Sequence, residues 1–246
     1  RVIGGTRTGE EFLEKVKQAS DVNSTGNLEA QYVAGNRDLN FLMTYIKALV
    51  QSRDLDKAKG LAQEVLVSLD DEEKCSEPYW FIYQNQELSP VGSGNMMYLL
   101  KHVDKFRQGV GVEKVDSVVT GLFATQLEDI LRGRNKNATL ADVEASEKML
   151  ESYHLQGQDY LNDYIALIKV MKTEDTEGML KLSKEIFPKM SDEQISYLYF
   201  NPISALREKW TSKQKKELVA LTKQLMNQVE MSQLKHSLKS FAEVGI

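Results

Sequence analysis

Apolar residues recur every three or four positions along most of the chain, the interval that gathers side chains on one face of an α-helix. The punctuation between these runs predicts where helices begin and end. Thr8, three residues before Glu11, makes a capping-box pattern ahead of Phe12, Leu13 and Val16, and predicts a helix over about 8–20. "SDVNSTGN" interrupts it, and "LEAQYVAG" reads as a short helix ending at Gly35. Asp38 stands where an N-cap belongs for "LNFLMTYIKALVQS"; "RDLD" is a tight turn, and "KAKGLAQEVLVSL" returns as the second arm of a helical hairpin. "EPYWFIYQNQ" opens with Pro78 in a favoured first-turn position, and its aromatic density predicts a deep location. After "SPVGSGN", helices over about 94–108 and 111–133 are expected on either side of "GVG".

The polar stretch "RGRNKNAT" is the clearest break in the middle of the chain, and a division into two lobes is expected near 133–139. Thr139 then caps a helix through about Tyr153. "QDYLNDYIALIKVMK", a "TEDT" turn and "EGMLKLSKEIF" repeat the hairpin scheme; Ser191 opens "SDEQISYLYF", which Asn201-Pro202 is expected to stop. A last pair over about 211–229 and 230–243 closes the chain. With only four prolines and fifteen glycines, and no run of alternating strands after residue 4, the fold class is all-α, an array of antiparallel helical hairpins.

The segment "LMTYIKALVQSRDLDKAKGLAQEVLVSLD" resembles a tetratricopeptide repeat. Leu42, Tyr45 and Leu49 occupy the large positions of the first helix, Leu55 follows the turn, Ala58 and Ala62 are the small contacts of the second helix, and Val65 stands at its third position. Ile46 replaces the usual glycine and Asp70 the proline that often closes the unit. "YIALIKVMKTEDTEGMLKLSKEIF" is a weaker copy with Met179 at the small position. The resemblance implies stacked hairpins in a TPR-like α-α superhelix; an irregular helical bundle satisfies the same periodicity.

The chain has 246 residues, 41% apolar and 27% charged, the composition of a folded rather than a disordered protein. Its net charge of −5 leaves no overall field to attract a phosphate backbone, so nucleic-acid binding is not expected. The local basic run holds Arg207, Lys209, Lys213, Lys215 and Lys216, but Glu208 and Glu217 interleave with it, as on a solvated face. No apolar stretch approaches the roughly 20 residues that cross a bilayer, so membrane insertion is not expected either.

Little in the sequence carries chemistry. Cys75 is the one cysteine, set among Asp71, Glu72, Glu73 and Glu77, which would raise its pKa; it reads as a bystander thiol. His102, His154 and His236 fall on separate helices without partners at metal-site spacing. "VGSGN" is a helix-capping loop, with Ser93 or Asn95 as the cap, in preference to a phosphate cradle. Asp70-Asp71 and Glu72-Glu73 are consecutive acids in a polar connection, expected to be hydrated. Asn23-Ser24-Thr25 and Asn137-Ala138-Thr139 have the form of glycosylation sequons. No catalytic, cofactor-binding or metal site is assigned. Stacked hairpins instead suit a protein or peptide partner, and Tyr79, Trp80, Phe81 and Tyr83 form the candidate partner-binding surface, although aromatics at helical spacing also fill cores.

The opening "RVIGG", a short turn and the helix "GEEFLEKV" resemble the last strand and C-terminal helix of a thioredoxin-like domain. The resemblance implies that residues 1–22 are the trailing edge of such a domain and 23–246 a helical extension of the kind some bacterial thiol-disulfide oxidoreductases carry. The family's Cys-x-x-Cys motif and cis-proline loop would lie upstream of Arg1, and a periplasmic or otherwise exported location would follow. Residues 1–6 are then expected to be exposed or irregular, with Phe12, Leu13 and Val16 packing on the array. The expected function is a non-catalytic scaffold for protein-protein interaction. A stand-alone all-α enzyme or ligand-binding protein is the alternative.

Overall fold

The computed structural model describes residues 8–10, 23–155 and 159–244. The expected strand at the start of the chain, and the packing of Phe12, Leu13 and Val16, lie outside the described residues. Among the described residues every regular element is helical, so the fold is all-α. The chain divides into two compact units, Arg1–Val115 and Asp116–Ile246. The division falls inside a long helix and not at the polar break near 133–139.

The first unit contains α1 (Thr25–Val33), α2 (Leu39–Gln51), α3 (Leu55–Ser68) and the four-residue α4 (Asp71–Lys74). A 3₁₀ turn (Glu77–Tyr79), α5 (Trp80–Gln84), α6 (Gly94–Lys101) and α7 (Val103–Val110) follow, and then the start of α8 (Val112–Leu131). The Asp38 carboxylate accepts the Phe41 N–H and starts α2. Arg53, in the left-handed region at φ 63, lets the Asp54 N–H close back on the Leu49 carbonyl at 3.0 Å, which ends α2 and turns the chain into α3. Leu42, Tyr45, Ile46 and Leu49 are buried against Ala58, Ala62 and Val65, while Leu55 is half-buried. The hairpin therefore forms as read, with Ile46 fully buried where the repeat usually has glycine. Each such side chain removed from water contributes roughly 1.5–3 kcal/mol before entropy is charged against it.

The helix expected over 94–108 is broken at His102, which takes φ −120 and ψ 26 and shares its N–H between the carbonyls of Tyr98 and Leu99, each at 3.1 Å. That tightened turn ends α6, and α7 begins at Val103. Its Gly109 lies so close to the Cys75 carbonyl that a Cβ there would overlap the oxygen.

The second unit holds the remainder of α8, then α9 (Leu140–Tyr153), α10 (Asp159–Lys172) and α11 (Thr176–Ile186). A 3₁₀ turn (Phe187–Lys189) leads to α12 (Asp192–Leu198) and α13 (Phe200–Ala205); another (Arg207–Lys209) leads to α14 (Ser212–Gln228) and α15 (Ser232–Val244). Helices α10 and α11 form the second expected hairpin, with Met179 fully buried, and α11 also packs against α14, which pairs with α15. Thr139 and Ser191 start their helices through capping boxes with Asp142 and Gln194.

Asn201-Pro202 does not stop the chain. Pro202 sits in the first turn of α13, where a missing N–H leaves no helical bond unmade. The Asn201 amide donates to the Leu131 carbonyl at 2.6 Å and so caps the C-terminus of α8. Gly133, at φ 71, ends that helix against the same Asn201 side chain.

Candidate functional site

The aromatic cluster sits deep, as its density predicts, in the core of the first unit, and so does not form the candidate partner surface. Trp80 is 3% exposed, Tyr83 1%, and Tyr79 is also buried. Positions 79, 80 and 83 share the inward face of a helical turn; the Tyr83 ring meets Phe106 edge-on at 4.6 Å, and Trp80 lies 5.8 Å from the same ring. Only Phe81 stays half-buried, with Lys47 Nζ 5.5 Å from its ring centre. The surface proposed from Tyr79, Trp80, Phe81 and Tyr83 is corrected accordingly: these side chains hold α5 in place and leave little for a partner.

Around Cys75 the first unit gathers several polar groups. The consecutive acids are exposed, and Asp70 caps α4 in a capping box with Glu73. Asp71 accepts the Tyr98 hydroxyl at 2.8 Å, which holds its carboxyl below the usual carboxylate range. His102 lies against Tyr98, ring centres 4.4 Å apart. Cys75 itself is 2% exposed, and burial pushes the thiol up; the Asp71 charge adds less. A neutral, enclosed thiol is a poor nucleophile, and the Asp71–Tyr98 bond ties α4 to α6.

The histidines stay apart. His102 joins α6 and α7, His154 ends α9 in the left-handed conformation, and His236 lies on α15. Among the described residues no group of three or more His, Cys, Asp or Glu side chains is placed to hold a metal ion. No helix among them is long and apolar enough to cross a membrane. In "VGSGN" it is Ser93 that caps α6, accepting the Met96 N–H. In the basic run, Lys209 pairs with Glu174 at 2.8 Å.

The second unit has a groove of about 600 Å³ between α12–α13 and α15. Its walls are pinned at one end by Asp192, whose carboxylate accepts the backbone N–H groups of Glu230 and Met231 at 2.8 and 2.7 Å as the chain enters α15. At the other end Phe241 meets Phe200 and Tyr199 at nearly right angles, with ring centres 5.3 and 5.9 Å apart. Trp210 steadies α13 from behind by donating to the Ile203 carbonyl at 3.0 Å.

The lining follows from the helical period. On α15, His236 and Ser240 make one stripe, and Ser237, Phe241 and Val244 the next. Ser196 and Phe200 face them from α12 and α13, and Arg207 enters from the turn that follows. Two of the hydroxyls are already committed as donors: Ser196 to the Glu193 carbonyl at 2.7 Å and Ser237 to the Gln233 carbonyl at 3.1 Å. Each therefore offers only lone pairs to an occupant. Arg207, His236, Phe200 and Phe241 are all among the lining residues, and among the described residues no carboxylate lines the groove.

In the sequence His236 lies on a helix without a partner at metal-site spacing, and Phe200 and Phe241 belong to segments far apart in the chain. Nothing local in "SYLYFNP" or "KHSLKSFAEV" announces that they meet. Comparison of the chain with protein-family models, with curated proteins and with solved structures found no match.

Proposed function

We propose that the chain is a non-catalytic helical scaffold that binds a protein or peptide partner, and that it serves as the interaction module of a thioredoxin-like thiol-disulfide oxidoreductase. The observation that carries the scaffold reading is the groove between α12–α13 and α15: an aromatic pair, Phe200 and Phe241, lined alongside by serine hydroxyls, Arg207 and His236, at the surface of a helical-hairpin unit. Its volume lies within the range of roughly 300–1,000 Å³ in which small-ligand sites fall. Helical-hairpin arrays commonly recognise extended segments on such surfaces. The link to an oxidoreductase is supported by the resemblance of the first 20 or so residues to the end of a thioredoxin-like domain, and an exported location belongs to the same proposal.

The scaffold reading is tested by placing a photo-crosslinking residue at Ser240, in the groove, and separately at the exposed Lys59 in the first unit, in the source cell. A discrete adduct from position 240 and none from position 59 is expected. Adducts of equal pattern from both positions, or turnover of a small substrate by the purified chain, would sink it. The oxidoreductase link is tested by reading the coding region upstream of Arg1, where a Cys-x-x-Cys motif is expected.

A further inference from the structure

We draw no further inference here: the strongest candidate, the Phe200–Phe241 groove between α12–α13 and α15, belongs to the site already described, and nothing in the structure shows what covers it.

Discussion

In the core of the second unit the Tyr199 hydroxyl lies 2.7 Å from Thr222 Oγ1, and Thr222 gives its own proton to the Leu218 carbonyl, also at 2.7 Å. A threonine hydroxyl has one proton, so Tyr199 is the donor in this pair. The chain of bonds runs from the aromatic cluster behind the groove floor into α14, and both residues are fully buried.

The two ends of this chain differ in what their removal leaves behind. Tyr199→Phe deletes a donor but leaves Thr222 bonded through its proton, and should cost about 1 kcal/mol. Thr222→Val leaves the tyrosine hydroxyl buried without an acceptor, and should cost more, about 1–3 kcal/mol. The double variant should be less destabilised than the sum of the two, because no polar atom is then stranded. Urea denaturation followed by Trp210 fluorescence in a Trp80→Phe background reads the second unit by itself. A Thr222→Val cost no larger than that of Tyr199→Phe would refute the donor assignment.

The same tyrosine sets an alkaline limit. Burial pushes the Tyr199 phenol up to about 12 from its ordinary value of 10.0. A group whose folded pKa is raised contributes stability that is whole below the unfolded value and is lost as pH rises through the folded one. Stability of the second unit should therefore fall between about pH 10 and 12, by on the order of 2 kcal/mol from this residue. Tyr164 and Tyr153, also raised by burial, add to the loss. The Tyr199→Phe variant should show a shallower decline, measured as urea midpoints at successive pH values; parallel declines would contradict the linkage.

The helical hairpins were legible because their signals are local. Periodicity, a capping side chain and a short turn all lie within a few residues, and Asp38, Thr139 and Ser191 each accept the N–H that their spacing predicted. The features that were not legible are those decided by distant partners. "NMMYLLKHVDKF" keeps its helical period straight through His102, where one helix ends and the next begins. Asn201-Pro202 reads as punctuation, yet Asn201 serves a carbonyl 70 residues away. Tyr79, Trp80 and Tyr83 share a face, and whether that face meets Phe106 or water is settled only by α7. The groove joins residues 196–207 to 236–244 through two bonds to Asp192, a juxtaposition no local pattern encodes.

Tertiary polar ties of the first unit should be visible at acid pH. Glu29 on α1 pairs with Lys57 on α3 and accepts the Tyr45 hydroxyl at 2.6 Å; the lysine contact first, and the tyrosine second, hold its carboxyl below the usual range. A lowered carboxyl pKa contributes stability above the unfolded value and loses it as pH falls through the folded one. With the two side chains 45% and 34% exposed, solvent screening keeps the effect under about 1 kcal/mol. Glu29→Gln should destabilise the first unit slightly at pH 7, with the difference vanishing well below pH 4 and shrinking in high salt, as read by Trp80 fluorescence in a Trp210→Phe background. A pH-independent difference would mean that the charge does not matter.

Two glycines of the first unit should respond to alanine with opposite signs. Gly60, exposed on α3, would give its Cβ no neighbour within 4 Å, so Gly60→Ala only removes unfolded-chain freedom and should stabilise by roughly 0.5–1 kcal/mol. Gly109 on α7 faces the backbone carbonyl of Cys75, which the helix α4 and its capping box hold in place. A methyl group there cannot be accommodated by a side-chain rotation, so α7 must move away from the Trp80–Phe106 contact it carries. Gly109→Ala should destabilise by roughly 1–3 kcal/mol, the usual range for overpacking. Serial urea titrations of both variants, read through Trp80, check the pair: a stabilised Gly109→Ala would show that α4 and α7 do not approach as described.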